Sequence, residues 1–138
     1  MRYVVSILVF CAVVAGGFST RSANAIKPFF EQFKALYVKP NATDRTMRIF
    51  AEAVEAKGCT ICHRGQPTKP TKGYNAYGAQ LTKLLNGKCD GQNLQKIRSA
   101  MAKVALMKSN PDDRSSPTFA QRLKQGKLPV GEIRVQSN

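Results

Sequence analysis

Apolar residues recur along most of the chain with the period of an α-helix, and no stretch of useful length alternates with the period of a strand. From Lys27 to Val38, Phe29, Phe30, Phe33, Leu36 and Tyr37 share one helix face, and Lys39-Pro40-Asn41 stops the run. A second helix is predicted to begin at Thr43 or Asp44, either of which can cap it. Met47, Phe50, Ala51 and Val54 make its apolar stripe, and it runs into Gly58. Between Arg64 and Gly73 there is no apolar period, and Gly65, two prolines and three basic residues predict a loop. Asn75–Leu85 reads as a third helix, with Tyr77, Leu81, Leu84 and Leu85 on one face and Asn86-Gly87 as its stop. Asp90 or Asn93 can cap a fourth, with Leu94, Ile97, Met101, Val104 and Ala105 inward and Asn110-Pro111 at its end. Ser116-Pro117 reads as a cap and a first-turn proline before a short helix, Thr118–Lys124, closing at Gly126. Lys127-Leu128-Pro129 and the polar end are expected to be poorly ordered. The pattern predicts an all-α domain without internal repeats.

The first residues differ in kind. Arg2, the apolar run from Tyr3 to Phe18 and Ala23-Asn24-Ala25 have the layout of a cleaved secretory signal peptide, residues 1–25. Ser6 and Gly16-Gly17 interrupt the run, which is short for a permanent span, so no membrane span is expected in the mature chain. Residues 26–138 then form one small exported domain, in a periplasm or an equivalent compartment. The whole chain carries 22 basic and 8 acidic residues, a formal charge of +14. Such an excess favours acidic partners or anionic surfaces. Nucleic acid fits the charge but not an exported chain. The basic residues are scattered, so a solvated face explains them as well as a docking patch does.

Candidate chemistry sits at Cys59-Thr60-Ile61-Cys62-His63, the C-x-x-C-H attachment signature of a c-type haem. Two thiols spaced by two residues match the vinyl groups of the porphyrin, and the next residue supplies an imidazole to the iron. A thioredoxin-type redox pair would want a βαβ context, which is missing here. A zinc site would want further ligands, and His63 is the sole histidine. The expected cofactor is therefore one covalent haem c, anchored by Cys59 and Cys62, with His63 as proximal iron ligand. The aromatic stripe of the first helix suits the core and is placed to wall a haem as well. Tyr77, Leu81 and Met101 are expected to line the pocket.

Function then turns on the distal ligand. With Cys11 removed in the leader and two cysteines on haem, Cys89 is left over in an oxidising compartment. It can pair with another chain, stay inert, or ligate iron. Its place just past a glycine stop, between two helices and beside Lys88, favours ligation. Met107 and Met101 are alternatives, Met101 having a core role to explain it, and Met47 is less suited because it precedes the motif. A lysine, a residue of another chain or an open position completes the set. A thiolate lowers the reduction potential, a thioether makes a conventional His/Met electron carrier, and an open position takes small gases or peroxide. A peroxidase-like enzyme would need a distal acid–base group, and without a second histidine no enzyme is expected.

The run Cys59–Gly65, the segment Asn75-Ala76-Tyr77-Gly78-Ala79-Gln80-Leu81 and the tail Pro117–Ala120 with Leu123–Pro129 resemble small monohaem c-type cytochromes of planctomycetes. Among these the chain is most similar to the subunits of the heterodimeric NaxLS-type cytochrome complex of anammox bacteria. The resemblance implies His63 and Cys89 as axial ligands and a paralogous monohaem partner subunit in a heterodimer. It also implies a very low potential and binding of NO or CO once the thiolate leaves. The compartment would then be the anammoxosome lumen. The C-x-x-C-H part is specific for haem, and the other two motifs narrow the family.

Overall fold

A computed structural model describes residues 27–66 and 69–132. The expected signal peptide and Cys11 lie outside the described residues, as does the chain after Glu132. Among those described, the fold is mostly helical, with five α-helices and one small sheet. Helix α1 is Lys27–Tyr37, α2 Arg45–Lys57, α3 Ala76–Thr82, α4 Leu94–Ala105 and α5 Phe119–Lys124. A 3-10 turn, Gly58–Ile61, follows α2 directly, and strands β1 (His63–Gln66) and β2 (Lys69–Tyr74) form an antiparallel hairpin before α3.

Each helix start has a chemical reason. The Asp44 carboxylate accepts from the Met47 N–H at 2.9 Å, and the Asn93 amide oxygen accepts from the Lys96 N–H at 2.9 Å. Both satisfy a donor that the first helical turn leaves without a partner. α5 is capped by Thr118, not by Ser116-Pro117. The Thr118 hydroxyl accepts from the Gln121 N–H, and the Gln121 side chain accepts from the Thr118 N–H, a reciprocal capping box. Ser116 turns away and donates to the Asn110 carbonyl at 2.8 Å, tying off the loop after α4.

α1 packs along α4, which also receives α3 and α5. Phe33, Phe50, Val54, Tyr77, Ile97, Met101, Val104 and Phe119 are buried at this junction. The Tyr77 ring meets Phe33 and Phe119 edge-on, with centroids 5.8 and 5.1 Å apart. Two residues assigned inward by periodicity stand out instead: Leu36 is 42% and Leu94 45% exposed. Both lie near a helix end. Leu128 and Pro129, expected in a loose tail, are buried. Arg122 draws them in by donating to the Leu128 carbonyl at 2.9 Å and the Gly131 carbonyl at 2.7 Å.

The hairpin replaces the loop expected at 64–73. Its register pairs His63 with Tyr74, Gly65 with Pro70 and Gln66 with Lys69, with an irregularity between His63 and Gly65. Backbone pairing carries it, because the sequence has no alternating face to bury. Its base sets His63 beside Tyr74 at the foot of α3.

Candidate cofactor site

Cys59, Cys62 and His63 open onto one cleft. The cavity itself is about 180 Å³, and the empty space reaches about 820 Å³ when its open, solvent-filled mouth is counted. α1 contributes Phe29, Phe30 and Phe33, and the turn after α2 contributes Gly58, Cys59, Ile61 and Cys62. The hairpin adds His63 and Tyr74, while α3 and the chain after it add Gly78, Leu81, Thr82, Leu85 and Gly87. The walls are thus aromatic and aliphatic, with two thiols and one imidazole set among them.

The turn is built for this presentation. Gly58 ends α2 with φ +46°, a conformation costly for any residue with a Cβ. At Gly58 and at Gly87 an added Cβ would meet no atom within 4 Å, so both glycines leave the cleft open where a side chain would stand. The His63 ring lies against Tyr74, centroids 4.8 Å apart and tilted by 36°. Burial pushes the Cys62 thiol up to about 12, and the neighbouring Cys59 adds to the shift. That environment disfavours a thiolate. It suits a neutral thioether and is the reverse of what a reactive C-x-x-C redox pair needs. Among the described residues no group of three or more His, Cys, Asp or Glu side chains is arranged to hold a bare metal ion.

The remaining candidates fall in different places. Leu81 is on the cleft wall. Tyr77 and Met101 are fully buried in the core and are not on that wall. Cys89 is exposed, a free thiol in the connection between α3 and α4. That connection borders the cleft through Leu85 and Gly87. It is pinned by Asp90, whose carboxylate accepts from the Asn86 N–H at 2.8 Å and pairs with Lys96 at 2.8 Å. Lys96 first, then the Asn86 N–H, hold the Asp90 carboxyl below its ordinary range. Met107 is 37% exposed at the end of α4, its backbone bonded to Val104 and Phe119, and Met47 packs on the core from α2. Neither Met107 nor Met47 lines the cleft.

Periodicity and motif spacing missed Asn75 and Gly78 as parts of this site. Asn75 caps α3 and bonds back to the C-x-x-C-H turn, and a Cβ on Gly78 would stand 2.0 Å from the Cys62 carbonyl oxygen. No protein-family model matches the chain, and no curated protein or solved structure matches it.

Proposed function

We propose that the protein is an exported monohaem c-type cytochrome acting in low-potential electron transfer, in binding NO or CO, or in both, without catalytic turnover. One observation carries the reading. Cys59, Cys62 and His63 share the wall of an apolar, three-phenylalanine cleft, and the Cys62 environment favours a neutral sulfur. Cys59 and Cys62 would hold haem c as thioethers and His63 its iron, the helices wrapping the group. Bound there, haem supplies a one-electron couple and an axial position whose ligand sets the potential. Phe29, Phe30, Phe33, Leu81 and Leu85 would keep water from the bound group, and Tyr74 lies against the His63 ring.

Cys89 is the proposed distal ligand. Of the candidates outside the core, it alone belongs to a connection that reaches the cleft wall. The thiol would turn inward from its exposed position. The resemblance at residues 59–65 and 75–81 supports the same pair, a paralogous partner subunit, and an anammoxosome or periplasmic location consistent with the leader at 1–25. Lys57, Lys83 and Lys88 are exposed, each next in the chain to a residue on the cleft wall, which supports an acidic redox partner as well.

Near-infrared magnetic circular dichroism of the ferric protein tests the ligand assignment. A thiolate-type charge-transfer band that vanishes in Cys89→Ala while haem stays attached is expected. A thioether-type band, lost in Met107→Ala or Met101→Ala and indifferent to Cys89, would leave a conventional His/Met electron carrier.

A further inference from the structure

The C-x-x-C-H turn is tied from outside itself to Asn75 through several backbone carbonyls. The Asn75 side-chain amide donates to the Ile61 carbonyl at 2.9 Å and the Thr60 carbonyl at 3.0 Å, with the His63 carbonyl at 3.5 Å. The Asn75 backbone N–H donates to the Cys62 carbonyl at 3.0 Å. Carbonyls of four consecutive residues, Thr60 to His63, therefore converge on Asn75. Its other side-chain atom, Oδ1, accepts from the Gly78 N–H at 3.0 Å and so caps α3. Carbonyls on one side and an N–H on the other leave a single sensible orientation for the amide. Gly78 completes the seam, since its missing Cβ lets α3 press against the Cys62 carbonyl.

We infer that Asn75 is a positioning residue for the proximal face of the site. It locks the turn that carries Cys59, Cys62 and His63 to the first turn of α3, and so sets the direction in which the His63 imidazole is offered. This inference rests on the haem reading above. The physical ground is that a ligand on a turn is only as well oriented as the backbone beneath it. The turn itself is short, and the hydrogen bonds that Asn75 provides come from residues twelve or more positions away. An ordinary helix cap makes only the local half of this set. Asn93 is the internal comparison, because its side chain caps α4 through the Lys96 N–H at 2.9 Å.

The test uses the haem-bearing protein and electron paramagnetic resonance of its ferric state, with haem attachment and far-ultraviolet circular dichroism read in parallel. Asn75→Ser keeps an oxygen that can cap α3 but has no amide to reach Thr60 and Ile61. Its low-spin signal is expected to shift in g-value or split into several species, with haem still covalent and helix content unchanged. Asn93→Ala is expected to lower the unfolding midpoint and leave the signal at its wild-type position. Should Asn75→Ser yield no holoprotein, Asn75→Asp keeps the size and the cap oxygen while turning a donor into an acceptor, and a larger shift is expected. A wild-type signal in the Asn75 variants would overturn the inference and leave Asn75 a helix cap. A wild-type chain that carries no covalent haem would overturn the haem reading, and this inference with it.

Discussion

Tyr77 brings a hydroxyl into the interior. There, among the buried side-chain polar atoms of the described residues, it makes no well-formed hydrogen bond, its polar neighbour being the Tyr37 hydroxyl. The Tyr37 hydroxyl is near it but donates to the Met101 carbonyl at 3.3 Å. Burial first, then the neighbouring Tyr37 and Cys62, push Tyr77 well above the ordinary tyrosine range, and burial raises Tyr37 too. The fold thus prefers the neutral phenol. An unfolded tyrosine releases its proton near pH 10, so above that pH the unfolded chain binds fewer protons than the folded one. Stability present below pH 10 is then lost as pH rises, for Tyr77 by up to about 1.4 kcal/mol per pH unit. Tyr77→Phe removes a hydroxyl whose polar neighbour, the Tyr37 hydroxyl, is committed to the Met101 carbonyl. Urea unfolding at neutral pH should find it equal to wild type or about 1 kcal/mol more stable, with a shallower alkaline loss. A neutral-pH loss above that size would mean the hydroxyl has a partner. At this scale the sequence was legible wherever chemistry is local. Cys59, Cys62 and His63 announce themselves by spacing, whereas Asn75 acts on carbonyls, which leave no trace in side-chain identity.

The helices were legible because their cores and caps are periodic and near in sequence. Phe50 and Val54 in α2, and Ile97, Met101 and Val104 in α4, are buried as their spacing predicts, and Asp44 and Asn93 cap as their positions predict. The β1–β2 hairpin was not. Its strands, HRGQ and KPTKGY, offer no alternating apolar face, so nothing but backbone pairing distinguishes them from a loop. Met101 shows a second limit: periodicity separates inward from outward but cannot tell a core from a cleft behind it. Gly78 shows a third, since a close approach between α3 and the Cys62 carbonyl depends on the assembled elements. Gly78→Ala forces a Cβ to within 2.0 Å of that oxygen, on backbone that cannot swing away. Thermal or urea unfolding of the holoprotein should register a loss of about 3 kcal/mol or more, at the upper end of overpacking penalties. A variant of wild-type stability would show that α3 and the turn can separate freely.

Across the whole molecule, a helical frame around α4 supports a single cleft wall on which the motif stands, and the frame's own core is closed by Phe119, Leu123 and Leu128 from the far end of the chain. Leu128 was unreadable as core because it lies beyond the last periodic helix, where the chain is brought back with its Leu128 and Gly131 carbonyls accepting from Arg122. The charge of +14 was legible as an excess but not as a surface, and only the fold sets Lys57, Lys83 and Lys88 next to residues of the cleft wall. Everything proposed for the molecule stands on one covalent haem. The most direct test is the intact mass of the protein recovered from a host that attaches haem c, together with its pyridine haemochrome spectrum. The account predicts a gain of one haem with a double-thioether spectrum, both lost when Cys59 and Cys62 are replaced by alanine. A bare polypeptide mass with two free thiols at these positions would contradict it.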